Sequence, residues 1–571
     1  MDTRPLVLRN TKSSFKSAQQ VTMQAASSPT EDYSYGTPGM AAPSNNNNDS
    51  HNRPTMQQTH VGEFRDDYSN GVPIVVNRAT YVYVLSAALN SCNLGYDIGV
   101  NTTAGILIQD SMNLSDGQLE LFMGSLNFFA MVGALCSSAI TDHYGRRGGF
   151  VVAAVGFIIG IVIMSFSQSY GGLMFGRVFV GLGVGFGLAI DPLYISEISP
   201  AAHRGRLVTW SEIATNVGIV LGFLSGAIFF NMAEGRAWRA MFLMGLILPT
   251  IMIYLAIRVM PESPRWLVSK GRESEAKEVL EKVYPPGFKI DAIIDGIKEA
   301  IELESEAEHA VGWKMIFFPT PAIRRMLLVG IGTAVAQQAV GIDAIQYFLT
   351  FIIRESGIDS RAKQTVILVF LGLLKLVFIL IAARLFDTRG RRPLFFISLC
   401  GCAAALLLVA FSFIGKDEEN TDNSGLAVLG LALYLSAFSL GMGPGAWLIP
   451  SEVFAISIRA KAMSLATFSN RLTGTLISST FLTTANAMSW SGFFVLLAVI
   501  CLLAAAFLYF FLPETKGRSL EDMSMYFAEI TGDNSILEVE ETILRRKNQL
   551  NLEGIASESL ATSDPPPGTM T

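Results

Sequence analysis

The sequence predicts an all-α membrane protein with twelve transmembrane helices in two pseudo-symmetric six-helix halves, joined by a cytoplasmic helical linker. Three observations lead to this prediction: long apolar segments, an uneven distribution of arginine among the loops, and three patterns that each occur twice. The 571 residues are 50% hydrophobic and only 16% charged, whereas about a quarter of the residues are charged in an average soluble domain.

The apolar segments are long enough to cross a bilayer. Residues 148–167 and 490–512 carry no charge, and about 20 apolar residues span the hydrocarbon core as a helix. Hydropathy predicts spans at 79–101, 117–139, 148–167, 171–195, 208–230, 237–258, 324–352, 363–384, 393–414, 426–449, 461–485 and 490–512.

A polar stretch, 262–322, separates the sixth span from the seventh. It contains two amphipathic patterns with i,i+4 charge pairs, 271–284 and 291–308, which predict helices. The first residues are rich in Ser, Asn, Gln, Thr and Pro, which predicts disorder. The predicted domains are a disordered cytoplasmic tail (1–77), a first half (78–260), a cytoplasmic helical linker (261–322), a second half (323–513) and a cytoplasmic C-terminal tail (514–571).

Arginine and lysine predict the orientation. They are concentrated in the loops that join even-numbered spans to the following odd-numbered spans. Positively charged loops stay in the cytoplasm, so we expect these loops, both termini and the linker to be cytoplasmic.

Three patterns recur at an offset of about 250 residues. Residues 142–147 recur as 387–392, residues 196–204 as 451–459, and residues 261–265 more loosely as 513–517. Each first copy falls in spans 1–6 or at their end, and each second copy in spans 7–12, which indicates a parallel repeat typical of alternating-access transporters.

Acidic residues accompany the arginines in these repeats. Charge-assisted bonds between them would form a cytoplasmic latch that holds one conformation, the alternative being positive charge that only sets topology. The predicted latch residues are Asp142, Arg146, Arg147, Glu197, Arg204, Asp387, Arg391, Arg392, Glu452 and Arg459.

Ionisable residues inside a span are costly and therefore candidates for function. Those singled out here are Asp97, Arg177, Asp191, Glu212, Asp343 and Lys375. A buried carboxylate at 97 that alternates between pairing with Arg177 and being protonated can carry a proton; a static bridge between two helices is the alternative. We expect Lys375 to pair with a carboxylate or to snorkel, and the sequence gives no account of Asp191.

The composition also argues against other classes of protein. A net charge of −6 gives no reason to propose nucleic acid as a partner. Five cysteines without CxxC spacing predict neither a disulfide framework nor a zinc site. The histidines lie in tails or loops, and no nucleophile–base set or nucleotide loop is present. We therefore predict no metal, no cofactor and no enzymatic activity.

The motifs resemble those of the sugar porter family of the major facilitator superfamily, over about 78–525. They are GYDIGV (95–100), GRVFVGLGVGFG (176–187), PLYISEISPAAHRGR (192–206), PESPRWLVSKGR (261–272), QQAVGIDA (337–344), DTRGRRPL (387–394), GPGAW (443–447), SEVFAISIRAKA (451–462) and FLPETKGRSLEDM (511–523). Glu212, the GIDA sequence and Asn470-Arg471 are similar to plant polyol and monosaccharide proton symporters. Asp191 and Phe348 depart from the family pattern.

The resemblance implies the major facilitator fold and a set of roles. It implies that the solute is bound by Gln337, Gln338, Asp343, Trp447, Asn470 and Glu212. It also implies proton coupling through Asp97 and Arg177. In an unbroken helix Gln338 and Asp343 would point about 140° apart, and we expect Gly341 to break the helix so that both face one cavity.

The sequence therefore predicts transport of a sugar or polyol, as proton-coupled symport. A proton-independent facilitator is the alternative, and a non-transporting sugar sensor a further one. The expected partners are the small solute, the proton and the lipid bilayer, with the chain acting as a monomer. The expected location is the plasma membrane, with the vacuolar membrane as the alternative.

Overall fold

The computed structural model of the chain describes residues 76–200, 203–310, 312–414, 423–542 and 545. Every regular element in these ranges is a helix. The N-terminal tail, which is predicted to be disordered, lies outside the described residues apart from its last two residues. Most of the C-terminal tail after 542 also lies outside them.

Six helices precede the linker. They are α1 (Arg78–Met112), α2 (Asp116–Phe166), α3 (Tyr170–Ile198), α4 (Arg204–Phe229), α5 (Glu234–Met244) and α6 (Ile247–Arg258). Helix α2 begins at a capping box formed by Ser115 and Gln118. It contains both the second and the third predicted spans. Non-helical backbone at Gly145 (φ 82°, ψ 174°) forms a kink between them.

The linker is helical at both predicted positions. Its helices are α7 (Pro264–Ser269), α8 (Glu273–Val283), α9 (Ile290–Ala310) and α10 (Lys314–Phe317). Helix α8 buries an apolar stripe of Ala276, Val279, Leu280 and Val283, the pattern of an amphipathic helix. The Asn77 amide, just before α1, donates to the carbonyl of Lys282, and the Trp266 indole donates to that of Asp142. We call this side of the molecule the linker end.

The remaining helices follow the linker. They are α11 (Pro321–Ala339), α12 (Ile342–Tyr347), α13 (Leu349–Glu355), α14 (Arg361–Arg389), α15 (Arg391–Ser412), α16 (Ser424–Leu440), α17 (Met442–Val453), α18 (Arg459–Ser478), α19 (Phe481–Met488), α20 (Trp490–Phe511), α21 (Leu520–Thr531) and α22 (535–542). Helices α11–α13 together form the seventh predicted span. Its segments meet at Gly341 (φ 87°) and at Phe348.

Nine helices in the described part of the chain are long and apolar enough to cross a membrane. The nine count α2 once although Gly145 bends it, and they treat α5 with α6 as one span. Helices α1 and α18, which correspond to the first and eleventh predicted spans, are not among the nine. Both carry several buried polar side chains, including Asp97 on α1 and Arg471 on α18.

Helices α1 and α4 cross at very short range. A Cβ atom built on Gly222 would lie 2.6 Å from the Val100 nitrogen, so the backbones approach as only small residues permit. This crossing fixes the position of α1, whose middle carries the first candidate functional residue.

Candidate functional site

The first part of the site is a buried ion pair between α1 and α3. Arg177 Nη1 donates to Asp97 Oδ1 at 3.0 Å and to Asp97 Oδ2 at 2.9 Å. Arg177 is 0% exposed and Asp97 is 7% exposed. The guanidinium also lies 4.8 Å from the Phe122 ring centroid, within the range of a cation–π contact. The two predicted coupling residues therefore meet, away from bulk water.

The second part lies where α11 ends. Gly341 adopts a left-handed conformation as the N-cap of α12, so the predicted helix break is confirmed. The Asp343 carboxylate, in the first turn of α12, accepts a bond of 3.1 Å from the Asn127 amide of α2. Arg471 Nη1 of α18 lies 3.7 Å from the same Asp343 oxygen and donates to Asn127 Oδ1 at 2.9 Å.

Two amides occupy the last turn of α11. The Gln337 amide donates to the Gly443 carbonyl at 3.0 Å, and its Oε1 accepts a 2.9 Å bond from Asn470. Gln338 is also buried, and its Oε1 has no hydrogen-bond partner among the described residues. Gln337 thus links α11 to α17 and α18.

Trp447 lies beside this cluster. Its ring is half-buried, and the Arg471 guanidinium lies 5.8 Å from its centroid. The ring therefore contributes an apolar surface next to the polar group of Asn127, Asp343 and Arg471.

Glu212 on α4 faces the same region. Its carboxylate oxygen lies 3.5 Å from the Asn216 amide, and the charges acting on it come from Lys375, Arg471 and Asp343. Lys375 on α14 is 6% exposed and interacts electrostatically with Glu212 and Asp343. The predicted carboxylate partners of Lys375 are therefore nearby, at longer range than a direct ion pair.

Bonds join the two helix groups, α1–α6 and α11–α20, at the end opposite the linker, which we call the far end. Glu120 accepts from the Thr483 nitrogen and from the Thr483 hydroxyl, both at 2.6 Å. Thr102 Oγ1 donates to the Gln346 carbonyl at 2.9 Å. Thr350 Oγ1 donates to the Thr102 carbonyl at 2.7 Å. The far end is therefore closed by contacts from buried polar groups.

The first group of predicted latch residues assembles at the kink of α2. Arg146 donates from Nε and Nη2 to the two oxygens of Glu197, at 2.9 Å each, and lies 3.4 Å from Asp142. Glu262 accepts from the backbone nitrogen of Arg146 at 2.8 Å. Burial raises the pKa of the Glu262 carboxyl above its ordinary value. Arg147 donates to the Ala256 carbonyl.

The second group repeats this arrangement at Gly390 (φ 86°). Arg391 donates from Nη2 to Glu452 at 2.8 Å, and Glu514 accepts from the Arg391 nitrogen at 3.0 Å. Burial would raise the pKa of Glu514, but backbone N–H donors, led by that of Arg391, outweigh it and lower the pKa. Arg392 donates to the Tyr509 carbonyl at 2.6 Å. The loose repeat of 261–265 and 513–517 therefore places two glutamates in equivalent positions.

Arg204 and Arg459, two further predicted latch residues, are not partners in the Arg146–Glu197 and Arg391–Glu452 ion pairs. Arg204 and Arg459 are exposed, at the starts of α4 and α18. Arg204 interacts electrostatically with Glu197, and Arg459 interacts electrostatically with Glu304. The side chain of Asp387 lies outside the described part of the structure.

Three residues at the site have no role assigned to them by the sequence analysis. Glu120 and Arg471 lie inside predicted spans, so the rule that intramembrane charges are functional candidates would have found them. Asn127 is a neutral amide in an apolar helix, and only its contacts with Asp343 and Arg471 identify it.

A helical membrane protein whose two groups of helices enclose a polar cluster is typical of a transporter. Residues 83–527 match the family model "Sugar (and other) transporter". The chain is 36% identical to "Probable polyol transporter 4" of Arabidopsis thaliana, over 79% of this chain and 86% of that protein. It is also 36% identical to "Polyol transporter 5" of the same organism, over 79% and 87%.

A solved structure shows the same fold. The proton:xylose symporter XylE of the major facilitator superfamily, bound to 6-bromo-6-deoxy-D-glucose, superposes with a TM-score of 0.66 at 25% identity, covering 78% of this chain and 99% of XylE. The chain belongs to the sugar transporter family of the major facilitator superfamily and is similar to plant polyol transporters. It is therefore a multi-pass integral membrane protein and a transporter, not an enzyme.

Proposed function

We propose that the protein carries a sugar or polyol across its membrane by alternating access, together with a proton. The polar cluster between the helix groups supports the solute class, and the buried pair of Asp97 and Arg177 supports the coupling. That pair is the single observation that carries the proposal.

The architecture proposed for this function has twelve spans. The kink at Gly145 divides α2 into two spans, and α1 and the α18–α19 pair add two more to those that are apolar throughout. The halves are then 78–260 and 323–513, with 261–322 between them. The tails, 1–77 and 514–571, and the linker are cytoplasmic in this proposal, because the arginine-rich loops lie at the linker end.

The proposed solute site is the cluster around the break in α11. Asp343, Gln338 and Asn470 Oδ1, which is unpartnered among the described residues, supply acceptors, and the Gln338 amide also supplies donors, which suits a molecule covered with hydroxyl groups. Gln337 donates to the Gly443 carbonyl and holds Asn470 in place by accepting from its amide. Trp447 faces the carbons, and Glu212 approaches from α4. The unpartnered Gln338 oxygen supports this assignment. The plant relatives are named polyol transporters, and XylE is described as a proton:xylose symporter.

The proposed proton carrier is Asp97. A carboxylate can either pair with Arg177 or take up a proton, and removal of the charge releases the arginine. Because Asp97 lies on α1, which also carries the far-end contacts of Thr102, its protonation is linked to the helix that must move.

Because the far end is closed by contacts between the helix groups, we expect this conformation to open towards the linker end, the cytoplasmic side in this proposal. The pairs of Arg146 with Glu197 and of Arg391 with Glu452 each lie within one helix group. We propose that these latch residues keep each group rigid while the groups move relative to each other.

Uptake into proteoliposomes tests the proposal. Purified wild type and Asp97→Asn are reconstituted side by side under an inward proton gradient, with labelled sorbitol, mannitol, myo-inositol, xylose and glucose. We expect wild type to accumulate at least one solute above equilibrium and Asp97→Asn only to equilibrate it. Without an imposed gradient the two should reach the same final level.

Either result is informative. Accumulation by wild type alone supports proton symport through Asp97 and identifies the solute. If wild type never exceeds equilibrium at any gradient, the protein is a facilitator and the Asp97–Arg177 pair is a structural bridge. If none of the five solutes enters faster than into empty vesicles, the proposed solute class is wrong.

A further inference from the structure

A second buried acid lies between α1 and α3, the two helices that carry Asp97 and Arg177. The function proposed above does not use it. Asp191, on α3 immediately before Pro192, is 1% exposed. It receives a bond of 3.2 Å from the Asn90 amide and a short bond from the Ser91 hydroxyl. Both donors are neutral and both belong to α1.

No cation among the described residues balances this carboxylate. The interactions that bear on its charge come from burial and from Ser91 and Asn90 alone. Other titratable groups lie near this part of α3, on α1, α2 and α3 and after α6. They interact electrostatically with Tyr194, one turn beyond Asp191 on α3, and are Tyr83, Arg147, Glu197 and Glu262. On α4, Glu212 interacts with Lys375. An isolated charge inside a membrane is costly, so Asp191 needs a neutralising partner.

The position of Asn90 allows a proton to be the neutralising partner of Asp191. Its Nδ2 donates to Asp191, whereas its Oδ1 is buried without a hydrogen-bond partner among the described residues. An amide can donate to an ionised acid or, rotated by half a turn, accept from a protonated one. Gly187 makes room for this amide, because a Cβ there would lie 1.9 Å from Asn90 Nδ2.

Asn90 also lies on the face of α1 that carries Asp97. Seven residues separate them, so the two side chains differ by about 20° around the helix and by about 10 Å along it. Asn93 lies between them, and both of its amide atoms are buried without a hydrogen-bond partner among the described residues. Unsatisfied buried amides of this kind are where internal water is found, which would connect the two acids.

We propose that Asp191, Asn90 and Ser91 form a second proton-coupling site, distinct from the pair of Asp97 and Arg177. A proton arriving from water adds to one carboxylate oxygen of Asp191 and forms an O–H group. That group donates to Asn90 Oδ1, while the other oxygen continues to accept from Ser91. Loss of the proton reverses both steps. The coupling role rests on the proposed symport function, but the protonation of Asp191 can be measured without it.

Infrared difference spectra between acidic and alkaline pH test the protonation directly. The purified full-length protein is reconstituted in lipid with ¹³C-labelled aspartate, so that aspartate bands are separated from those of Glu212. We expect the C=O band of a protonated aspartic acid to lose one component in Asp191→Asn and a different one in Asp97→Asn. Ser91→Ala should move the Asp191 component in frequency without removing it.

An unchanged difference spectrum in Asp191→Asn, from protein with wild-type thermal stability, overturns the proposal. So does a component that changes when sodium chloride replaces choline chloride at constant pH, because Asp191 would then bind sodium. If Asp191→Asn is too unstable to purify, Ser91→Ala tests the proposal instead. A Ser91→Ala spectrum without any shifted component overturns the assignment of a protonated acid to Asp191.

Transport stoichiometry tests the coupling. With the membrane potential clamped at zero, a tenfold proton gradient sustains about tenfold solute accumulation for one coupled proton and about hundredfold for two. We expect two in wild type and one in Asp191→Asn; equal stoichiometry in both overturns the coupling role. Asp97→Asn should still only equilibrate solute, because a permanently neutral side chain at position 97 lets the carrier turn over whether or not Asp191 has taken up its proton. If wild type merely equilibrates solute, the symport proposal itself fails, and the infrared result for Asp191 still stands by itself.

Discussion

Arg177 holds Asp97 through a single guanidinium nitrogen: Nη1 lies 3.0 Å from one carboxylate oxygen and 2.9 Å from the other. Its Nε and Nη2 are buried without a hydrogen-bond partner among the described residues. Arg146, by contrast, donates to Glu197 from two nitrogens, the fork geometry that fixes a carboxylate most firmly. The pair inside the membrane is thus less constrained than the pair at the linker end, which suits the proposed symport, in which Asp97 and Arg177 must separate.

The first prediction concerns the stability of this pair. Arg177→Met leaves Asp97 as an uncompensated buried charge, which costs about 3–5 kcal/mol of unfolding free energy. Asp97→Asn combined with Arg177→Met removes both charges and should recover most of that loss. Denaturant unfolding of the reconstituted protein measures both. A double variant no more stable than Arg177→Met would show that the pair contributes nothing through its charges.

The second prediction concerns the helix break that separates Gln338 from Asp343. Gly341 has φ 87°, a conformation that costs a residue with a Cβ about 1–2 kcal/mol. Gly341→Ala should therefore favour a continuous helix, turn Asp343 away from Gln338 and weaken solute binding about tenfold. Equilibrium binding of the labelled solute measures this. Gly425→Ala is the matched control, because a Cβ at that helical glycine meets nothing within 4 Å; equal binding by the two variants would contradict the prediction.

Candidate site residues that stand out by their own chemistry could be predicted from the sequence. Asp97 and Arg177 are charged residues in apolar helices, and Gly341 falls between two polar residues that only a break can bring together. Residues that act as partners could not. Asn127 is one amide in an apolar helix, and its bonds to Asp343 and Arg471 join residues more than 200 positions apart. Asp191 departs from the family pattern, but its partners Asn90 and Ser91 are ordinary helix residues until the crossing of α1 and α3 is known.

The lengths of the helices show a second limit of sequence reasoning. Hydropathy predicts a break between residues 139 and 148, and non-helical backbone at Gly145 divides α2 within that interval, but helix continues on both sides of Gly145 beyond the predicted apolar spans. The predicted first span ends at 101, but α1 continues to Met112. Residues beyond the apolar core are helical because they pack on neighbours, and tertiary packing of this kind leaves little trace in a hydropathy profile.

The third prediction concerns the closed far end. Glu120 is 1% exposed and accepts two bonds from Thr483, and bonds to a charged group contribute about 1.5–3 kcal/mol each. Glu120→Ala should therefore increase the population that is open at the far end by about tenfold or more. Spin labels at the exposed positions 110 and 360, in a background without native cysteines, report the distance distribution across that end.

The control for this experiment is another ion pair at the same end. Arg361 pairs with Glu234, but both side chains are about 40% exposed, and exposed pairs contribute little. Arg361→Ala should leave the distance distribution as it is in wild type. If both variants shift it equally, closure depends on the summed charge of the far end and not on Glu120.

The last prediction concerns Glu540 on α22. Its carboxylate accepts a 3.2 Å bond from Ser524 of α21, and the neighbouring Ile536 is completely buried. Burial, reinforced by the nearby charge of Glu521, raises the pKa of Glu540 from 4.5 to about 7, although Ser524 and the backbone of Ile456 act in the opposite direction. The docked helix therefore binds more protons than a released helix between these two values. Docking is strongest below about pH 4.5 and weakens as the pH rises towards 7.

Hydrogen–deuterium exchange of residues 535–542 measures this docking, after correction for the intrinsic pH dependence of exchange. We expect protection to fall between pH 5 and pH 8 in wild type and to stay high at both values in Glu540→Gln, since the amide cannot ionise. Glu541→Gln is the matched control: Glu541 is exposed and pairs with Arg545, four residues further along the chain, so this variant should keep the wild-type pH dependence. Protection that falls equally in Glu540→Gln would assign the pH dependence to another group.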